Sequence, residues 1–180
     1  FWGYGRNVLN PYSNDCSQVS TGNYVSGQVA GGSNEMVWEA LLGAGPNGED
    51  VVEVQTGIKH IDGTALSHTY AQFYHLGPSG PHVGKTFRFR VVAKGNDGET
   101  VNINLDQNGS PEDSGVQFTF DGTWQTFEIE HTYVNSSAGQ LTGRIGLRSV
   151  SAVGGGNTGS ATTTDFQIAE YNIAQVMPGQ

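Results

Sequence analysis

The chain is 180 residues long with a formal net charge of -9, and it holds 27 glycines while only 14% of its residues are charged. That length supports one core without metal or disulfide staples, and so much Gly with so little charge fits a turn-rich β protein better than a helical one, because Gly takes positive φ at no steric cost. Eight Lys and Arg residues, scattered among 17 Asp and Glu, argue against nucleic acid and anionic membrane surfaces, both of which need clustered cationic side chains.

The chain opens on Phe1-Trp2-Gly3-Tyr4-Gly5-Arg6, which has no signal-peptide character and no initiator Met, and so reads as a processed or excised segment of a larger protein. Residues 1–35 form a loop-rich N-terminal segment, apart from an edge-strand signal at Asn7-Val8-Leu9 that Asn10-Pro11 ends. Trp2 and Tyr4 are candidates for a subunit or parent-protein contact. Cys16 stands alone, so no intrachain disulfide forms. Residues 36–42 are a short apolar run that periodicity leaves between a strand and one helical turn; the turn cluster Gly45-Pro46-Asn47-Gly48 limits its length, and we read it as a strand. A second strand over 51–58 ends at the turn Lys59-His60-Ile61-Asp62-Gly63.

From His68 onward the apolar residues alternate, placing successive side chains on opposite faces of a sheet. Over 83–94 Phe87, Phe89, Val91 and Ala93 share one face while Arg88, Arg90 and Lys94 share the other. Residues 101–107 set Val101, Ile103 and Leu105 against Asn102, Asn104 and Asp106. Residues 115–121 place Val116, Phe118 and Phe120 inward, and 124–134 place Phe127, Ile129 and Tyr133 inward with Glu128, Glu130 and Thr132 outward. A strand region over 141–150 and a flexible Gly-rich loop over 151–164 lead to a closing strand at 165–174. There Phe166 and Ile168 have one parity and Tyr171 and Ile173 the other, which demands either a bulge near Ala169-Glu170 or burial on both faces. The elements amount to about nine or ten strands, with no fixed-period repeat and no apolar run near the roughly 20 residues of a transmembrane helix.

The order and spacing of these pieces resemble the jelly-roll carbohydrate-binding modules of xylanases, a galactose-binding-domain-like fold that also recurs in phage tail spikes. The resemblance rests on Asn7-Val8-Leu9 for the opening strand, on Tyr70 to Tyr74 followed by Gly84-Lys85-Thr86-Phe87-Arg88-Phe89, on Gly122-Thr123-Trp124-Gln125-Thr126-Phe127, and on Phe166-Gln167-Ile168-Ala169-Glu170-Tyr171-Asn172-Ile173. Together these frame nearly the whole chain. Gly84-Lys85-Thr86 is no phosphate loop, since the upstream glycines are misplaced and a strand follows where a helix is needed. The resemblance implies an all-β fold, an antiparallel β-sandwich of jelly-roll type, in a single domain over 1–180. It also implies a structural calcium held partly by the closing strand, where Glu170 is the candidate ligand. Ala169 stands at the family's first acidic position there, and Pro11 and Tyr12 follow the opening strand where an acidic loop is usual, so loop carbonyls would have to complete the six to eight oxygens that calcium takes.

Sugar recognition needs flat apolar surface for ring C–H faces and planar hydrogen-bonding groups for hydroxyls. Parity offers Arg88, Arg90, Asn102, Asn104, Asp106 and Gln117, which share one face if their strands are neighbours, with Tyr70, Gln72 and Tyr74 as an aromatic-flanked set of common parity. The plain alternative for each is a solvated outward residue. Trp38 divides evenly between core and ligand platform, whereas Trp124 sits at a fold-defining family position and belongs with the core.

No catalytic residue is assigned. Glu128 and Glu130 lie roughly 7 Å apart along one strand, but glycosidase acids face each other across a cleft. The five histidines lack a metal-binding spacing, and His131 has core parity. Asn108-Gly109-Ser110 and Asn135-Ser136-Ser137 match the glycosylation pattern, which arises readily by chance in so Asn- and Ser-rich a chain. The reading is a noncatalytic carbohydrate-binding or adhesion module of a phage tail or other extracellular multidomain protein. Its partner would be a polysaccharide or cell-surface glycan, with homo-oligomer or parent-protein contacts beside it and neither nucleic acid nor membrane insertion. The alternative is a structural decoration module of a virion or surface appendage; a lyase or hydrolase is a third reading, which needs a cleft with convergent acid and base groups.

Overall fold

A computed structural model describes residues 37–41, 43–55, 70–74, 83–107, 114–133, 141–147, 150, 152–153, 156–163 and 165–177. Among these the chain forms nine strands and no helix: β1 (Val37–Leu41), β2 (Val51–Gln55), β3 (Tyr70–Tyr74), β4 (Thr86–Gly95), β5 (Thr100–Gln107), β6 (Ser114–Thr119), β7 (Gln125–Thr132), β8 (Leu141–Gly146) and β9 (Asp165–Gln175). They make two antiparallel sheets, one of five strands in the order β1-β2-β9-β4-β7 and one of four in the order β3-β8-β5-β6. The ambiguous run at 36–42 is a strand, paired from Val37↔Gln55 to Leu41↔Val51. The opening strand at Asn7-Val8-Leu9, Trp2, Tyr4, Cys16, His68, His75 and both glycosylation patterns lie outside the described residues.

Alternation does what the period-2 rule requires. Phe87, Phe89, Val91 and Ala93 of β4, Phe127 and Ile129 of β7, and Phe166, Ile168, Tyr171 and Ile173 of β9 pack against Val101, Ile103 and Leu105 of β5 and Ile145 of β8. Each fully buried Phe or Ile contributes about 1.5–3 kcal/mol of transfer free energy. Phe120 and Tyr133 join this core, with Phe120 edge-on to Phe127 at 5.6 Å and Phe87 edge-on to Tyr133 at 6.2 Å. His131 is buried at its core parity, and burial pushes the Tyr133 phenol above its ordinary pKa. The two sheets meet closely at Gly143, where an added Cβ would come within 2.8 Å of the Phe89 ring.

The parity break in β9 is a bulge. Val92 pairs with Glu170 and Ala93 with Ile168, leaving Ala169 as the extra residue that turns Tyr171 and Ile173 back into the core.

Two short turns decide the architecture. Residues 96–99, with Gly98 at φ 80°, carry the chain from β4 in the five-stranded sheet to β5 in the four-stranded one. Four extended residues reach about 13 Å, enough to cross the roughly 10 Å between packed sheets. Residues 121–124, with Gly122 at φ 78°, make the reverse crossing from β6 to β7. In that turn the Thr123 hydroxyl and backbone N–H both donate to Asp121, at 2.7 and 2.8 Å, and hold its carboxyl below the usual carboxylate range. Because β4 and β5 are not neighbours, Arg88 and Arg90 do not share a face with Asn102, Asn104 and Asp106; the single polar face expected from parity is two faces on opposite sides of the sandwich.

Candidate functional site

The outer face of the five-stranded sheet neutralises itself. Register sets Arg88 opposite Glu130 and Arg90 opposite Glu128 on β7, so unlike charges are direct cross-strand neighbours. The Arg88 Nε donates to Glu130 at 2.7 Å and its Nη1 lies 3.6 Å from Glu128; the Arg90 Nε lies 3.7 Å from Glu128 and its Nη1 donates to Glu170 at 2.5 Å. The result is a ladder, Glu130-Arg88-Glu128-Arg90-Glu170. Both guanidinium groups predicted to meet sugar hydroxyls face carboxylates of the same chain. The same ladder occupies Glu128 and Glu130, the only same-strand carboxylate pair the sequence singled out.

It also bears on calcium. Glu170 shares its carboxylate with the Arg90 guanidinium, a poor neighbour for a divalent cation, and the adjacent bulge residue is Ala169. Among the described residues no group of three or more His, Cys, Asp or Glu could hold a metal ion. The described residues therefore do not by themselves fit the calcium site implied by resemblance.

Elsewhere on this face Val51, Val92 and Ala169 form a small buried cluster with Leu41 and Trp124 packed against it. Trp124 is thus half-buried outside the main core, on the far side of the sheet. A shallow polar groove of about 260 Å³ lies at the end of the sheet, lined by Glu53, Lys94, Asn96, Asp165 and Gln167 among others, with Gln167 Nε2 donating to Glu53 at 3.3 Å. In β1 the backbone of Trp38 pairs with Val54, which in turn pairs with Phe166 of β9.

The outer face of the four-stranded sheet gathers the remaining candidates. One row across the strands runs Tyr70, Gly146, Asn102, Gln117; the next runs Gln72, Arg144, Asn104, Gly115; the third runs Tyr74, Thr142, Asp106. Six of the nine predicted ligand residues therefore occupy one grid, about 14 Å across at ordinary strand spacing. The residue sequence reasoning missed is Arg144, centred between Gln72 and Asn104. Its signal was present in Leu141-Thr142-Gly143-Arg144-Ile145-Gly146, where Arg144 has the parity opposite to the buried Ile145.

The chain after β8 bonds back onto this sheet. After β8 the chain crosses from the middle of the sheet to its β6 edge, where Ala152 bridges Gly115 and the Val153 N–H donates to the Gly115 carbonyl at 3.0 Å. It returns with Thr158 N–H on Val150 O and Ala161 N–H on Leu147 O, and it anchors on Thr100, whose carbonyl accepts from the N–H groups of Thr162 and Thr163. Within the stretch read as a flexible loop, Val153, Thr162 and Thr163 are hydrogen-bonded onto the sheet.

Two outward-parity amides of β5 are buried, and this segment bonds one of them. Asn102 is 3% exposed, and its valences are used: Nδ2 donates to Gly159 O at 2.7 Å and lies 3.5 Å from Leu147 O, while Oδ1 accepts from Gln117 Nε2 at 3.0 Å. Asn104 is 1% exposed, and neither its Oδ1 nor its Nδ2 has a hydrogen-bond partner. The expectation of solvent-facing amides along β5 is corrected at both positions.

No protein-family model matches this chain, and no curated protein does. Solved structures do. The chain overlays the CBM22-1 xylan-binding domain of Xyn10C from Paenibacillus barcinonensis at 9% identity and TM-score 0.59, covering 98% of both chains. It overlays the CBM22-1–GH10 modules of Clostridium thermocellum endo-1,4-beta-D-xylanase 10B, complexed with xylohexaose, at 14% identity and TM-score 0.59, over 98% of this chain and 30% of that one. Tailspike protein 4 of bacteriophage CBA120 matches at 10% identity and TM-score 0.59, over 94% of this chain and 21% of that one. The chain shares the jelly-roll fold of these modules. At such identities the likeness speaks for the jelly roll, and the jelly-roll sandwich read from the sequence is the fold found.

Proposed function

We propose that this jelly roll is a noncatalytic module that binds polysaccharide or cell-surface glycan along the outer face of its four-stranded sheet. The observation that carries this reading is the register that lines up Tyr70, Gln72 and Tyr74 with Thr142, Arg144, Asn104 and Asp106. Tyrosines supply ring-stacking surface, while amide, guanidinium and carboxylate supply oriented hydrogen bonds, which is the chemistry a pyranose demands. The solved structures with this fold lend support, since one holds xylohexaose and another, TmCBM61, holds β-1,4-galactotriose. An extracellular or virion setting follows from the same reading, with the tailspike match favouring a phage tail. Binding by one such face is weak and gains strength when several copies are presented together.

The test is a glycan array probed with the isolated chain, followed by titration calorimetry on the hits. Binding that falls when Tyr70 or Tyr74 becomes Ala supports the reading. Silence across plant, bacterial-envelope and host-surface glycans would sink it.

A further inference from the structure

At one end of the five-stranded sheet the outer face carries a polar row beside an apolar one. Register aligns Glu53 of β2, Gln167 of β9 and Lys94 of β4. Two residues away along the same strands, Val51, Ala169 and Val92 form the small buried cluster on which Leu41 and Trp124 pack. The polar row is one wall of the shallow groove of about 260 Å³; Asp165 and Asn96, one step beyond the pair Gly95↔Phe166, line its other side. Between them the floor lies at Gly95 and Phe166, and it is fixed from beneath. Phe166 is buried in the core, and Gly95 sits so close to the Phe120 ring that no side chain fits between them.

Three charges share this groove without cancelling. Among the described residues Lys94 is ion-paired with neither Glu53 nor Asp165, although all three line the same groove. An ammonium only donates and a carboxylate only accepts, so a ligand group that serves both must donate and accept at once, as a hydroxyl does. At ordinary strand spacing and rise the two rows span about 10 Å by 7 Å. The volume falls below the roughly 300–1,000 Å³ of pockets for drug-sized ligands, which limits the occupant to about one ring. Trp124, half-buried on the adjoining apolar row, adds an indole next to these polar groups, and a sugar ring presents the matching pair of an apolar C–H face and a rim of hydroxyls.

We propose that this groove is a second saccharide subsite, on the opposite side of the sandwich from the four-stranded face, that takes one neutral pyranose ring and excludes anionic sugars. Glu53 and Asp165 accept from ring hydroxyls, and Lys94 donates to ring and hydroxyl oxygens. Exclusion of uronates follows from charge: two carboxylates against one ammonium leave the groove at -1, within a chain of net charge -9. With a site on each face, one chain holds two saccharide segments at once, which raises avidity for a polysaccharide without any new contact.

The test is a titration of the full ¹⁵N-labelled chain with excess D-glucose, D-galactose, D-mannose and D-xylose in turn, followed by amide chemical shifts, with D-glucuronate as the anionic probe. The amides of Lys94, Asn96 and Gln167 are expected to move saturably with at least one neutral sugar and to stay in place with glucuronate. No movement of this group with any of the four overturns the proposal, and so does movement by glucuronate equal to that by the neutral sugars. The two faces report separately. Shifts at Lys94 and Gln167 without shifts at Tyr70 and Asn104 uphold the groove and count against the glycan face proposed above; shifts at Tyr70 and Asn104 alone do the reverse. Trp124→Ala opens the apolar cluster beneath it, so the deciding variant is Gln167→Ala, which leaves that cluster intact and whose folding is read from the same spectra. It is expected to weaken binding in the groove about tenfold while leaving any response at Tyr70 and Asn104 unchanged. Undiminished binding in the groove by this variant overturns the subsite.

Discussion

The two outer faces of the sandwich present similar residue types in opposite states. On the five-stranded sheet, arginines and glutamates stand directly across from one another and satisfy each other. On the four-stranded sheet, amides, an arginine and tyrosines are aligned, one amide is spent on the Gly159 carbonyl, and another is buried without a hydrogen-bond partner. Both outer faces carry polar rows. Whether that polarity is open to a ligand depends on which partner the neighbouring strand supplies.

The comparison breaks most visibly in binding. Tyr70→Ala and Tyr74→Ala are each expected to weaken glycan affinity by about tenfold or more, the usual cost of losing an aromatic anchor, while Arg88→Ala changes it by no more than about twofold because it acts on the distant face. Calorimetry on the three variants decides this; a larger loss from Arg88→Ala than from the tyrosines reverses the assignment of faces.

Stability sharpens the contrast next. Gly143→Ala drives a Cβ into the Phe89 ring between the sheets and is expected to cost about 1–3 kcal/mol by overpacking, measured by urea unfolding. Asn102→Ala removes the amide that accepts from Gln117 and donates to the Gly159 carbonyl, at about 1–3 kcal/mol for partners left unsatisfied. Arg88→Ala is expected to cost less than about 1 kcal/mol, the range for exposed ion pairs, and the gap to Asn102→Ala should widen in high salt.

Two smaller effects complete the set. If Arg90 is the working partner of Glu170, millimolar calcium leaves the melting temperature unchanged; a site saturated a hundredfold would instead add about 2.7 kcal/mol. The Asp121 carboxyl, held low by Thr123, adds stability that is present above the unfolded carboxylate pKa of about 3.9 and is lost as pH falls through its lower folded value. Thr123→Ala should therefore move the acid-unfolding midpoint slightly upward, and an unchanged midpoint would remove this turn from the account.

Much of the candidate face was legible residue by residue. Tyr70, Gln72, Tyr74, Asn102, Asn104 and Asp106 were picked out by alternation alone and occupy one grid. Arg144 was passed over because β8 holds two glycines at 143 and 146 and only one clearly buried aliphatic, Ile145, too few to declare its parity. Arg88 and Arg90 were grouped with the wrong partners because a turn such as Asn96-Asp97-Gly98 serves equally for a hairpin or for a crossing between sheets.

By itself the sequence determined the strands, the side of each that enters the core, and the parity break that Ala169 resolves, since all of these are written in a local period of two. The tertiary structure alone decided which sheet each strand joins, that Arg88 and Arg90 meet carboxylates from β7 and β9, and that Asn102 and Asn104 are buried despite their outward parity. Those outcomes are pairings between residues far apart in the chain, settled when the two sheets close on a common core, and no local periodicity encodes them.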